Sequence, residues 1–180
     1  LKNKSLEGLF FPDTYFFKKG DKATSILERA YKIHTDTVND IWESRADNIG
    51  IKSSYEAVIL ASIIEKEGVE KRRISGVFNR RLIKDMKLQS DPTVIYALGD
   101  QFDGNIRRSD LRIKNSYNTY VYKGLPPSPI GLVSKSSIEA STNPEPGSSL
   151  YFVSKGDGTH KFSDTLQEHN EAVKRYQLKE

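Results

Sequence analysis

Between residues 57 and 64 the chain is apolar at every position but Ser62, with Ala57, Val58, Ile59, Leu60, Ala61, Ile63 and Ile64 close together. Apolar cover around most of a helix predicts a helix buried on several sides. Ser53 and Glu56 stand in the S-x-x-E spacing of a capping box, and Gly68 is a natural stop. Upstream, Leu27, Ala30, Tyr31, His34, Val38, Ile41 and Trp42 recur at helical spacing. They predict a long helix capped at Asp21, running to about Ala46 and ended by Asn48-Ile49-Gly50. Downstream, Ile74, Val77, Phe78 and Leu82 form one face of a third helix, near Lys71 to Asp85.

After Met86 the helical period fades. Gln89-Ser90-Asp91-Pro92-Thr93 reads as a polar turn before the apolar Val94–Leu98, and Asn115 to Tyr122 as a strand or extended loop. The prolines of Gly124-Leu125-Pro126-Pro127-Ser128-Pro129-Ile130-Gly131 exclude regular structure. Ser134 to Ser141 predicts a short helix stopped by Asn143-Pro144. Leu150–Val153 and Thr159–Phe162 flank Gly156-Asp157-Gly158, a β-hairpin pattern. A last helix is expected from Thr165 to about Gln177. The aromatic Leu9–Phe17 stretch, broken by Pro12-Asp13, reads as extended segments around a turn. With no repeat, low-complexity tract or linker, the expected fold is α+β. It is one compact domain with early helices and late short strands, including a hairpin.

Composition narrows this little. The 180 residues suit one domain; 36% are hydrophobic and 29% charged, which is globular. The net charge of +4 is spread along the chain, so it reads as a mildly basic surface rather than a nucleic-acid footprint. Absence of cysteine excludes disulfides and thiolate metal sites, and His34, His160 and His169 lack close metal-ligand spacing. No apolar run approaches the ~20 residues of a membrane span.

The candidate chemistry begins with Glu65-Lys66-Glu67 at the end of the buried helix. A carboxyl against apolar walls keeps its proton to higher pH, the state a general acid needs near neutrality. On a helical wheel, Glu65 lies near Ala61, Val58 and Ser62, which could leave room for a ligand. Glu67 lies near the bulkier Ile63, Leu60 and Glu56. The wheel leans towards Glu65 without excluding Glu67, and a surface Glu paired with a base from the next helix fits as well. Gln89, Ser90 and Asp91 offer groups suited to sugar hydroxyls, though a helix cap or Asx-turn explains them too. Asp91 could serve as a second carboxylate. Tyr117 and its neighbours could stack on a pyranose, with the proline-rich loop as a groove wall. His160 could reach a cleft from the hairpin.

Seven segments, taken in order, resemble one family. They are Leu6–Tyr15, Ala61–Glu67, Val77–Leu82, Met86–Tyr96, Ser116–Tyr120, Gly124–Ile130 and Asn143-Pro144. The chain resembles the catalytic domain of YceG-like (MltG-type) endolytic murein transglycosylases across nearly all of residues 1–180. The resemblance implies lytic cleavage of the β-1,4 bond between N-acetylmuramic acid and N-acetylglucosamine, without water, leaving 1,6-anhydro ends. It puts the catalytic glutamate on Glu65. It implies substrate positioning by Gln89, Ser90, Asp91, Thr93, Tyr117, Asn118, Ser128, Pro129 and Ile130, with no metal or cofactor. It further implies a bacterial protein with one N-terminal membrane helix, a LysM-like subdomain and its catalytic part on the cell-wall side. This chain then reads as a fragment lacking the helix and most or all of that subdomain. Glycan strands and cell-wall synthases are the implied partners. The competing readings are a muramidase using Asp91, a non-catalytic peptidoglycan-binding scaffold, and, weakest, a nucleic-acid binder.

Overall fold

A computed structural model describes residues 6–178. Six α-helices and one two-stranded antiparallel sheet form it: α1 (Ala23–Glu43), α2 (Ser54–Glu67), α3 (Lys71–Ile83), α4 (Asp91–Leu98), α5 (Lys135–Thr142), β1 (Tyr151–Ser154), β2 (His160–Ser163) and α6 (Leu166–Val173). The α+β expectation stands, with the strands confined to the hairpin.

Helix α2 is the axis. Residues 57 to 64 are all buried, and α1, α3, α4 and α5 pack around it. Leu60, Ile63 and Ile64 meet Ile74, Val77 and Phe78 of α3 in the main core. Val58 and Ala61 meet Val38 and Ile41 of α1, Ile138 of α5 and Val133 just before it in a second cluster. At ~2 kcal/mol per fully buried large aliphatic side chain, this burial fixes α2 against its neighbours.

The helix starts differ in detail from the sequence expectation. Asp21 does not cap α1; its carboxylate accepts from the Lys18 N–H, and the helix opens at Ala23. Ser53 caps α2 by accepting from the Glu56 N–H, but Glu56 reaches back to Lys52 rather than to Ser53. The polar turn at 89–93 proved to be a helix start, because Pro92 suits the first turn and needs no N–H there. Residues 115–122 form turns rather than a strand. Asn118 organises them, donating to the carbonyls of Leu111 (3.3 Å) and Ile113 (3.0 Å) and accepting from the Tyr120 N–H at 2.9 Å. The final helix ends in a π-helical turn, Lys174–Leu178.

Two packing devices set the walls of the site. Gly8 has φ +71, and a Cβ there would lie 2.7 Å from Pro129, so the N-terminal segment can seat on the proline-rich loop only as glycine. The buried Arg81 of α3 donates to the carbonyls of Leu150 (2.6 Å), Lys87 (3.0 Å) and Leu88 (2.9 Å) and to Gln89 Oε1 (3.2 Å). One guanidinium thereby ties the hairpin to the segment leading into α4.

Candidate active site

The last turn of α2 carries two carboxylates with opposite environments. They are two residues apart, about 200° around the helix axis, so they face different neighbours. Glu65 faces the start of α5. Its Oε2 accepts from the Ser134 N–H (3.1 Å), the Ser134 hydroxyl (2.5 Å) and the Ser137 hydroxyl (2.5 Å). Lys71 Nζ lies 3.2 and 3.1 Å from its two oxygens and also reaches Ser134 and Ser136. Burial alone would raise this carboxyl. The hydrogen bonds from Ser134, Ser137 and Lys71 outweigh it and bring the group down to about 2. These bonds favour the charged form of Glu65 and tie α2 to the N-terminus of α5, where negative charge is favoured.

Glu67 faces a groove of about 660 Å³ bounded by α2, the segment leading into α4, the hairpin and α6. Burial pushes its carboxyl up to about 7; the Asp91 charge adds to the rise, while the Ser90 hydrogen bond and the Arg81 charge oppose it. Ser90 Oγ donates to Glu67 Oε1 at 2.5 Å. Ser90 stands at the N-cap position of α4 yet gives its hydroxyl to Glu67 instead of capping. Gln89 beside it holds φ +53, a left-handed conformation uncommon for a residue with a side chain. Gln89, Asp91, Tyr120, Tyr151, Phe152 and His160 also line the groove. Tyr120 Oη donates to Asp91 Oδ1 at 2.5 Å, and burial together with that carboxylate raises the phenol.

Of the ten residues implied by resemblance, the structure brings Gln89, Ser90 and Asp91 together around Glu67. Glu65 does not line the groove. The structure places it instead among Ser134, Ser137 and Lys71. Thr93 is fully buried, bonded to the Ser90 carbonyl and Thr119. Asn118 is buried in the turn it organises. Tyr117 spends its hydroxyl on Ser128 at 2.6 Å. Pro129 and Ile130 are buried, and the Ile130 N–H donates to Ser62 at 3.0 Å. None of these six lines the groove. His160 does reach the cleft. Its N–H and Nδ1 lie 2.7 and 3.1 Å from Glu70 Oε2.

A model of the YceG-like family matches residues 1–175. The chain belongs to the YceG-like family. It is 38% identical over 174 residues to the endolytic murein transglycosylase of Bacillus subtilis (strain 168), covering 95% of this chain and 48% of that protein. It is 30% identical over 178 residues to the endolytic murein transglycosylase of Streptococcus pneumoniae serotype 2 (strain D39), covering 93% and 32%. A crystal structure of a YceG-like protein from Listeria monocytogenes superposes with TM-score 0.79 at 38% identity, over 92% of this chain and 55% of that one. The chain thus spans about half or less of the relatives it matches.

In this YceG-like domain, sequence reasoning weighed Glu67 but did not choose it, and missed Arg81 and Tyr120 as groove residues. A wheel drawn on α2 alone sees Ile63 and Leu60 beside Glu67. It cannot see Ser90 and Asp91, which arrive from 23 and 24 positions away. Both missed residues lie inside segments shared with the family, Val77–Leu82 and Ser116–Tyr120, so the signal was present without a role attached. Among the described residues no three His, Asp or Glu side chains come together as a metal site, and no helix is long and apolar enough to cross a membrane.

Proposed function

We propose that this domain is the catalytic part of an endolytic murein transglycosylase and that Glu67 is its proton donor. The observation that carries the reading is the Glu67 carboxyl, held near neutrality by burial inside a groove of sugar-strand size. The relatives named endolytic murein transglycosylases support the substrate as peptidoglycan strands.

The chemistry follows from the geometry at Glu67. Ser90 donates to Oε1, so the carboxyl proton resides on Oε2, which has no protein hydrogen bond among the described residues. Oε2–H protonates the glycosidic oxygen between N-acetylmuramic acid and N-acetylglucosamine. The C1–O bond breaks, the N-acetylglucosamine end leaves as an alcohol, and positive charge develops at C1 and the ring oxygen. The Glu67 carboxylate then takes the proton from the C6 hydroxyl of the muramic sugar, and O6 bonds to C1. The product is a 1,6-anhydro end, no water is consumed, and Glu67 regains its proton. The nucleophile belongs to the substrate, so its effective concentration is high and one carboxylate suffices. Asp91, held by Tyr120, keeps negative charge near Glu67 and favours the protonated form. The implied synthase partners and N-terminal membrane anchor belong to the same reading of the whole protein.

Asp91 in the same groove also favours a second reading, hydrolysis with Asp91 as the base for water. Mass spectrometry of products from uncrosslinked glycan strands separates the two. Anhydro-muramic ends, absent with Glu67→Gln and still formed by Glu65→Gln, are the expected result. Reducing ends would transfer the assignment to a muramidase. Cleavage retained by a folded Glu67→Gln variant would remove Glu67 from the reaction.

A further inference from the structure

All four residues of β1, Tyr151 to Ser154, line the groove that holds Glu67. Successive side chains of a strand point to opposite faces, so a strand that lines a cavity with every residue turns its edge towards it. The register says which groups that edge presents. Lys155 N–H donates to the Thr159 carbonyl at 3.0 Å, which makes 155 and 159 a hydrogen-bonded pair. Hydrogen-bonded and non-hydrogen-bonded pairs alternate in an antiparallel ladder. Val153/Lys161 and Tyr151/Ser163 are then the bonded pairs, and Phe152/Phe162 and Ser154/His160 direct their backbone groups outward. On the β2 side this is visible directly, since the outward His160 N–H goes to Glu70 Oε2. On the β1 side, the alternation directs the N–H and C=O of Phe152 and Ser154 outward, and no backbone hydrogen bond made outside the sheet ends on them among the described residues.

We propose that this open edge binds the peptide stem of murein as an added strand, a reading that rests on the peptidoglycan assignment above. Two N–H/C=O sets lie two residues apart on one edge, about 7 Å, which is the repeat of an extended peptide backbone. A single sugar acetamido group would engage only one set. The same groove offers apolar Leu166 and Val173 and the amides of Asn170 and Gln177, a lining suited to peptide side chains and amides. The edge is continuous with the Glu67 cavity, so a bound stem would hold its own muramic sugar close to the proton donor. Strands that carry stems are therefore the preferred substrate, and the stem contributes to their binding.

The test uses Ser154→Pro, which deletes the outward N–H at 154 and leaves the bonded pairs at 151 and 153 in place. Proline is tolerated at edge positions whose N–H does not serve the ladder. Ser154→Ala is the control for the lost hydroxyl, which accepts from the Gly156 N–H. Wild type, Ser154→Ala and Ser154→Pro are compared on uncrosslinked strands with stems and on strands stripped of stems, with thermal melts checking the fold. Losing one backbone hydrogen bond corresponds to about a fivefold to tenfold loss. The expected result is that loss in kcat/KM for Ser154→Pro on stem-bearing strands only, with Ser154→Ala like wild type. Equal loss on both substrates would mean the edge serves sugar amides or the fold, and no loss on either would mean the edge is unused; each overturns the proposal. If wild type cleaves neither strand, the functional reading fails. The edge is then judged by amide NMR with the free stem peptide: shifts confined to Phe152, Ser154 and groove neighbours support it, and none overturns it.

Discussion

Replacing Glu65 by Gln separates the two carboxylates at the end of α2. The substitution keeps the shape and removes the charge that holds Lys71, Ser134 and Ser137. Lowering of the Glu65 carboxyl from 4.5 to about 2 corresponds to about 3 kcal/mol of preference for the charged form. The side chain is 28% exposed, so solvent screening reduces this to about 1–2 kcal/mol. For a chain of this size, that lowers Tm by about 3–8 °C at pH 7. The folded-state pKa is depressed, so the stabilisation is complete above about 4.5 and is lost as pH falls towards about 2. The melting difference between wild type and Glu65→Gln is therefore full at pH 7 and narrow by pH 3. Strand cleavage by the variant stays within about tenfold of wild type, because no reacting group is touched. A variant that melts like wild type at pH 7, or one that folds yet cuts nothing, would refute the bracing role.

Glu67→Gln has the opposite profile. Its folded pKa is raised to about 7, so the ionised carboxyl costs stability increasingly as pH rises from 4.5 to 7; the variant should melt above wild type at pH 8, match it near pH 4, and lose about 10²–10⁴-fold in cleavage. Tyr120→Phe frees Asp91 Oδ1 and should lower kcat/KM about threefold to tenfold with little change in Tm; unchanged kinetics would separate Asp91 from Glu67. Gly8→Ala forces a side chain into Pro129 at positive φ and should cost about 2 kcal/mol, read as a lower urea midpoint. His34 is buried and neutral with Nε2 unpartnered, and burial lowers its pKa, so wild-type stability declines as pH falls below 6.5; in His34→Leu melts that decline should flatten.

The helices were legible because their burial is one-dimensional information. The apolar run of α2, the spacing in α1 and α3, and the glycine turn of the hairpin each declare themselves within a dozen residues. Helix α4 was not legible, since Asp91-Pro92 suits a turn and a helix start equally, and only Thr119 and Glu67 decide between them. The site divided the same way. Ser90 and Asp91 drew notice because polar groups packed into one segment invite chemistry, and both lie beside Glu67. Tyr117, Asn118 and Ser128 looked like a sugar platform but spend their polar groups on one another and on nearby carbonyls. The choice between Glu65 and Glu67 turns on partners brought by α5 and α4, which no periodicity within α2 contains.

Arg81 has a consequence for how the domain would respond to its surroundings. Its guanidinium spans the hairpin and the α4 approach with four hydrogen bonds and sits 5.0 Å over the Tyr151 ring. Burial lowers its pKa, yet a guanidinium stays charged at any pH a cell wall meets. The width of the cleft is thus held by a fastener that does not titrate, across the range where Glu67 does. On the proposed reading, acidity would act on this domain as a dial on turnover, through the proton on Glu67, while the guanidinium that ties the two walls keeps its charge.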